Sequence, residues 1–537
     1  MDLFLSFFTS VIISIVLIPL LMRSAVYLHM IDEPGERKVH SCAIPRCGGL
    51  GLAIGAVVAV LLFIPSNSEI ISLMLGSVVI LFFGLLDDRF ELHYKWKFAG
   101  QLLATFIVIY GGISISYIPF GSLEPASPYF TLPLTVLFAI GVTNAVNLSD
   151  GLDGLAAGIM LMTLAAIAFL ALVVSGQEVA LIALAVAGGI VGFLWFNTHP
   201  AMVFMGDTGS QFIGFMAAFL TIYLTQNVYQ TLNPALPLLL LGMPILDTIS
   251  VMVRRIHDGK SPFSADKTHI HHRLLEYGFS HAQAVGSIYF LQGIYLLAAF
   301  NLRYASDVLV LTVYMLISGL ILLLFYVAGK SGWSLRHAEQ KQQRRGFSIW
   351  RSQRLYQFTR IYIETGLAFF LWIMIASFAR KIPELPENIV FLLLVGFGAF
   401  ILLPRTLQDI FVRVSVYISA VFSSIIAASF PDLKIVTHWG FDVFLLVLIV
   451  MVSMAVRMTR KSRFRMTTQD ILVVMFVIAA LLLVNVELVT HVIFRLFCLA
   501  YALEYLLNRE VYLMRLVRYS AITSGLLVVS VVLSSQI

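Results

Sequence analysis

The chain has 537 residues, of which 60% are hydrophobic and only 12% charged, with a mean hydropathy of +0.93. A soluble domain carries about 25% charged residues, so this composition excludes one and indicates an all-α, polytopic membrane protein. The formal charge of +6, from 35 Lys and Arg against 29 Asp and Glu, does not call for nucleic acid, because cytosolic loops gather Lys and Arg by the positive-inside rule.

Apolar runs long enough to span the hydrocarbon core recur along the chain, and each must be helical to satisfy its own backbone in lipid. The first, from Met1 to Leu21, has no basic n-region and no small-residue cleavage site, so it reads as a span and not a signal peptide. Spans are predicted at roughly 3–22, 48–64, 69–86, 98–113, 130–147, 154–175, 178–196, 208–225, 234–252, 283–300 and 307–328. A second group follows at roughly 364–380, 388–404, 412–430, 440–457, 471–486, 488–506 and 516–534, giving about 11 helices and then 6–7 more. Between the groups, 331–363 is a basic linker with Arg336, Lys341, Arg344 and Arg345. The expected domains are therefore 1–330, the linker 331–363, and a C-terminal membrane domain 364–537. Cys42, Cys47 and Cys498 are too few and too scattered for a disulfide framework or a four-ligand zinc site.

Polar motifs interrupt these runs. Asp32-Glu33-Pro34-Gly35-Glu36-Arg37-Lys38-Val39-His40 precedes the second span, whose Gly48-Gly49 entrance allows close approach of a ligand or of another helix. Asp87-Asp88 ends the third span. Adjacent carboxylates repel, so a divalent cation is one explanation and a charged helix end the other, although negative charge there opposes the helix dipole. Asn144, Asn147, Asp150 and Asp153 crowd around two Asp–Gly steps. Tight turning explains the glycines but not that density of amides and carboxylates. Phe204-Met205-Gly206-Asp207-Thr208-Gly209-Ser210 opens the eighth span, where Asp207 and Ser210 either cap a helix or help hold a metal and a phosphate. Finally, Ser261-Pro262-Phe263-Ser264-Ala265-Asp266-Lys267-Thr268-His269-Ile270-His271-His272-Arg273 concentrates histidines and basic residues. Zinc and phosphate are its rival ligands. No His-Glu-x-x-His pattern or nearby Cys supports zinc, and phosphate is the better match.

The basic loops 331–363 and 457–469 should be cytosolic. Counting back through alternating spans puts the polar motifs at 31–47, 87–97, 148–153, 197–207 and 253–282 on that same side.

In this order, the motifs resemble those of the polyprenyl-phosphate N-acetylhexosamine-1-phosphate transferases (glycosyltransferase family 4). Within that family the likeness is to the bacterial undecaprenyl-phosphate GlcNAc-1-phosphate transferases, which start O-antigen and common-antigen lipids. The matching residues are Asp32-x-Pro34 with Arg37-Lys38-x-His40, Asp87-Asp88-Arg89-Phe90, and Asn147 with Asp150-Gly151-x-Asp153-Gly154. Phe204-Met205-Gly206-Asp207 and Ser261-Pro262-Phe263-Ser264 with His269-Ile270-His271-His272 complete the set. The resemblance implies transfer of N-acetylhexosamine 1-phosphate from a UDP-sugar to undecaprenyl phosphate, releasing UMP, with Mg2+ as cofactor and Mn2+ as its substitute. It implies a bacterial inner-membrane enzyme of cell-surface polysaccharide synthesis, with its site facing the cytosol. Asp207 becomes the first metal ligand, assisted by Asp88. Asp87 deprotonates or orients the acceptor phosphate, and Asp88, Asp150 and Asp153 join it as the catalytic set. Asn147, Asp150 and Asp153 position nucleotide and metal, while Arg37, Lys38, His40, Lys267, His269, His271, His272 and Arg273 hold phosphates and sugar.

Residues 364–537 lie beyond the resemblance. Their Glu487, His491 and Arg495 share one helix face by spacing. A homodimer, contact with downstream glycosyltransferases, and lipid handling are open roles there. The rival classes are a transporter or flippase and a non-catalytic scaffold. A transporter would place its polar groups near the midplane, whereas here they gather at one boundary.

Overall fold

The computed structural model describes residues 2–33, 43–121, 124–261 and 268–335, all within one compact unit. Arg37, Lys38, His40 and Lys267 lie outside the described residues, as do the linker beyond residue 335 and the C-terminal domain with Glu487, His491 and Arg495. In chain order the helices are α1 (Asp2–Ser24), α2 (Gly48–Phe63), α3 (Ser68–Phe90), α4 (Tyr94–Tyr110) and α5 (Pro128–Leu148). They continue as α6 (Leu155–Val173), α7 (Gln177–Asn197), α8 (Gly206–Ile222), α9 (Leu236–Leu240) and α10 (Gly242–His257). The last are α11 (Ile270–Glu276), α12 (His281–Asn301) and α13 (Asp307–Ser331).

A bilayer gives apolar helices no hydrophobic reason to associate, so close packing and interhelical hydrogen bonds must hold them. α1 meets this need with Ser6, Ser10 and Ser14, spaced four apart on one face and all fully buried. That face lies against α2 and α7. Ser6 Oγ donates to the Leu181 carbonyl and Ser14 Oγ to the Gly51 carbonyl, each at 3.3 Å. A Cβ on Gly188 would sit 2.3 Å from the Phe7 carbonyl oxygen, so only glycine permits this approach. α6 and α7 are apolar on every side and mostly buried, as core helices must be.

α8 is the axis of the bundle. With the wider π-helical turn Tyr223–Val228 that extends it, its apolar stretch is wholly buried. α2, α3, α5, α6 and α7 all pack on it, and α4 closes over α3 and α5. α13 is peripheral, and its exposed Leu316, Leu320, Leu323 and Leu324 suit a lipid-facing surface. The paired segments β1 (Ile31–Asp32) and β2 (Ile44–Pro45) run antiparallel ahead of α2. β2 and α2 are stitched to the segment before α8: Phe204 N donates to Pro45 O at 2.8 Å, and Gly48 N to Phe204 O at 3.0 Å.

Among the described residues, eight helices are long and apolar enough to cross a membrane. The remaining expected spans before residue 330 are the shorter α2 and α4 and one that is broken. The single span expected over 234–252 is instead α9 and α10, interrupted at Leu241. Its residues are apolar from Ala235 to Leu246, across the break, which conceals it. Pro237 in the first turn of α9 and Pro244 in the first turn of α10 lack amide donors, so one ladder cannot run through both. Gln292 of α12, fully buried, repairs the interruption. Its Oε1 accepts from Met243 N at 3.1 Å, and its Nε2 donates to Leu240 O at 2.9 Å and to Thr163 Oγ1 at 3.0 Å.

Gln292→Leu keeps the volume but strands the Met243 amide and leaves the Leu240 carbonyl with the Thr163 hydroxyl as its remaining side-chain donor. We expect a loss of about 1–3 kcal/mol, read as a lower unfolding midpoint in detergent. An unchanged midpoint would show that the break is not held by this side chain.

Candidate active site

The N-terminus of α8 leaves backbone amides without intrahelical partners, and Asp88 supplies the acceptor. Asp88 Oδ1 accepts from Asp207 N at 2.7 Å, and Oδ2 accepts from Thr208 N at 2.9 Å and Thr208 Oγ1 at 2.5 Å. The turn that brings α8 to this carboxylate requires φ +69° at Gly206, where a Cβ would also lie 2.6 Å from Asp88 Oδ2. Both Asp88 oxygens therefore serve the start of α8.

This cap sets Asp87 and Asp207 beside each other, and Lys97 of α4 forms an ion pair with both. Its ammonium donates to Asp207 Oδ2 at 2.7 Å, while Asn147 Nδ2 donates to Asp207 Oδ1 at 2.6 Å and to Ser210 Oγ at 2.8 Å. Asp87, Asp88, Asn147 and Asp207 thus come together from α3, α5 and α8. Lys97 is absent from the sequence-derived set, since a lysine opening a span reads as ordinary loop charge.

Asp150 and Asp153 share a loop but diverge. The Asp150 side chain has no hydrogen-bond partner among the described residues. Burial, with the charges of Asp207, Asp153 and Asp88 nearby, pushes its carboxyl up to about 7. Asp153 turns to the segment after α7, where its Oδ2 meets His199 Nδ1 at 2.6 Å and accepts from Ala201 N at 3.1 Å. Burial raises that carboxyl, but those two hydrogen bonds and the neighbouring imidazoles outweigh it and hold Asp153 below its ordinary range.

The histidine motif reaches the same end of the bundle. Asp247 of α10, another residue missing from the sequence-derived set, binds His269 Nδ1 at 2.8 Å through Oδ2 and accepts from Ile270 N at 2.8 Å through Oδ1. The rings of His269 and His271 are nearly parallel at 5.7 Å, and His272 lies beside His271 at 4.2 Å. His271 is buried against Gly151, and its Nε2 has no partner among the described residues. Burial, reinforced by the charge of His272, lowers its pKa to about 3, so it is a neutral imidazole near pH 7. Arg273 departs from the expectation of phosphate binding. Its guanidinium donates to the Tyr277 hydroxyl and the Phe325 carbonyl, both at 3.0 Å, and lies over the Phe325 ring. One turn beyond His269, it belongs to the face of α11 that packs on α13.

The candidate ligand atoms of Asp207, Asp87 and Asp150 are carboxylate oxygens, the type a hard divalent cation prefers. Asp150, with no hydrogen-bond partner among the described residues, lies close enough to feel the Asp207 charge.

The family model described as glycosyl transferase family 4 matches residues 70–225, which run from α3 through α8 and carry every carboxylate of this cluster. The chain is 38% identical over 307 residues to the probable undecaprenyl-phosphate N-acetylglucosaminyl 1-phosphate transferase of Bacillus subtilis (strain 168), covering 56% of this chain and 85% of that one. The chain belongs to glycosyl transferase family 4. This family 4 chain is also 37% identical over 303 residues to the decaprenyl-phosphate N-acetylglucosaminephosphotransferase of Mycobacterium leprae (strain TN), covering 50% and 75% of the two chains. Against the undecaprenyl-phosphate alpha-N-acetylglucosaminyl 1-phosphate transferase of Escherichia coli (strain K12) the identity is 32%, with 48% and 71% covered.

A carboxyl raised from 3.8 to about 7 favours the folded state only while protonated, so its contribution is present at low pH and is lost as pH rises through 7. Without divalent cations, Asp150→Asn of this family 4 chain should unfold at a higher temperature than wild type at pH 8. The gap should narrow toward pH 4. Parallel pH profiles for the two proteins would contradict the assigned burial of Asp150.

Proposed function

We propose that the protein transfers N-acetylglucosamine 1-phosphate from a UDP-sugar to undecaprenyl phosphate, with Mg2+, at the cytosolic face of a bacterial inner membrane. The observation that carries this reading is the Lys97 ammonium paired with both Asp87 and Asp207 beside the capped start of α8. Such a site partly offsets its carboxylate charge with one ammonium in the absence of substrate and can exchange these internal ion pairs for phosphate oxygens and a cation. The names of the matched relatives supply the sugar phosphate and the polyprenyl acceptor.

In the proposed reaction, an oxygen of the acceptor phosphate forms a bond to the sugar-linked phosphorus of the donor. The bond from that phosphorus to the bridging oxygen breaks, and UMP leaves with the electron pair. Direct attack is preferred because a phosphate monoester is already a competent nucleophile at neutral pH. Asp87 accepts any proton remaining on the acceptor phosphate and orients its oxygen. Lys97 moves from the carboxylates to the phosphates as these arrive. Asp207, held by Asn147, and the unpartnered Asp150 would bind the Mg2+, which when bound reduces repulsion between the diphosphate and the acceptor and stabilises the leaving group. His271 offers its free Nε2 as a neutral donor to a phosphate oxygen, and Asp247 fixes the neighbouring His269. The product, a lipid-linked sugar diphosphate, would start a cell-surface polysaccharide such as an O-antigen.

UMP release by the purified protein, given undecaprenyl phosphate, Mg2+ and UDP-GlcNAc beside other UDP-sugars, tests this directly. Asp207→Asn and Lys97→Ala should each lower the rate by about a hundredfold or more. Folded protein that releases no UMP from any UDP-sugar, or a Lys97→Ala variant at full rate, would defeat the proposal.

A further inference from the structure

Three amide side chains lie one helical turn further into the bundle than the carboxylates, and the proposed reaction uses none of them. Gln101 of α4, Asn144 of α5 and Gln211 of α8 stand four, three and four residues from Lys97, Asn147 and Asp207. That spacing puts each amide on the same helix face as its neighbour, about 5 Å away along the axis. Gln101 Nε2 donates to Asn144 Oδ1 at 3.3 Å and to Gln211 Oε1 at 3.1 Å, while Gln101 Oε1 accepts from Asn144 Nδ2 at 2.8 Å. Asn144 Nδ2 also donates to the Ile140 carbonyl at 2.8 Å. Gln101 and Gln211 are each 3% exposed. Gln101 is the hub, since it bonds both of the others.

α4 needs such a hub. α3 touches α8 directly, and a Cβ on Gly84 would lie 2.6 Å from Thr208 Cα. α4 packs instead on α3 and α5. Among the described residues, the side-chain hydrogen bonds that join it to α8 are those of Lys97 with Asp207 and Gln101 with Gln211. In the proposed reaction the Lys97 ammonium leaves its carboxylates for the arriving phosphates, so the first link is temporary. The second persists. Turning α4 about its axis would pull Gln101 from both partners, and unpaired buried amides are costly. The amide layer therefore keeps the Lys97 backbone in place while its side chain moves.

We propose that Gln101 is a positioning residue of the transferase site. By tying α4 to Asn144 and Gln211, it keeps the Lys97 ammonium within reach of Asp87 and Asp207 when the site is empty and of the phosphates when it is filled. Its effect on rate rests on the transferase reading, whereas its effect on Lys97 does not.

Full-length protein in detergent, without substrate, is labelled with trace acetic anhydride. Acetylation of Lys97 is measured by mass spectrometry against that of exposed Lys95 on the same helix. An amine held in ion pairs reacts slowly, and Lys97 is 32% exposed, so the reagent reaches it. Gln101→Leu should raise the Lys97-to-Lys95 ratio about threefold or more, the shift produced by losing one or more hydrogen bonds. Gln292→Leu removes a buried amide elsewhere, and should lower the unfolding midpoint while leaving the ratio at the wild-type value. In the UMP assay, Gln101→Leu should lower kcat about tenfold or more. An unchanged ratio in folded Gln101→Leu would overturn the proposal, as would an equal rise in Gln292→Leu or a wild-type kcat in Gln101→Leu. Should Gln101→Leu fail to fold, Gln211→Leu removes a single bond of the set, and a raised or unchanged ratio there supports or overturns the proposal in the same way. Wild type that releases no UMP defeats the transferase reading alone, and the labelling ratio still tests the hold of Gln101 on Lys97.

Discussion

The carboxylate of Asp88, only 7% exposed, accepts three hydrogen bonds from the first turn of α8, and the arrangement of the active end depends on that cap. A carboxylate this far from water is tolerable only when donors surround it, and a helix N-terminus supplies them in a fixed geometry. Because Asp88 ends α3 and Asp207 begins α8, satisfying one charge sets the position of the next. Asp87 is carried in by its neighbour in sequence, and Asp207 by its place in the capped turn. The resulting negative charge draws in Lys97 from α4 and Asn147 from α5.

The same economy recurs in the bundle. Lipid offers no partners for stray backbone groups and no hydrophobic gain for helix contact. Helices that must touch do so through glycine and serine, as α1 does against α2 and α7. Where the ladder breaks, at Leu241, a buried amide from another helix replaces the missing partners. Among the described residues most charged groups sit at or near helix ends, and Asp247, inside α10, is held by its hydrogen bonds with His269 and Ile270.

Much of the site is legible in linear order. Asp87 and Asp88, the loop from Asn147 to Asp153, and the Gly206-Asp207 turn each hold several polar residues where an apolar chain has reason for none, so each stands out locally. The contributors that escape notice are single residues. Lys97 looks like loop charge, Asp247 and Gln292 like isolated polar positions in apolar helices, and His199 like a turn residue. Each acquires meaning from a partner on another helix. Arg273 errs in the opposite direction: adjacency to three histidines suggests phosphate binding, but its position on α11 carries it to Phe325 and Tyr277 instead.

Composition and hydropathy by themselves determined the all-α membrane class and the approximate spans among the described residues. These follow from the solvent, which demands long apolar helices and rejects charge, and that demand is written in every window of the chain. Only the tertiary structure decided that 234–252 is two helices, that Asp88 caps α8, that Asp150 has no hydrogen-bond partner among the described residues, and that Asp153 faces two histidines. Such facts depend on which donors meet which acceptors across helices, with partners as far apart in sequence as Asp88 and Thr208, and no local pattern encodes that pairing.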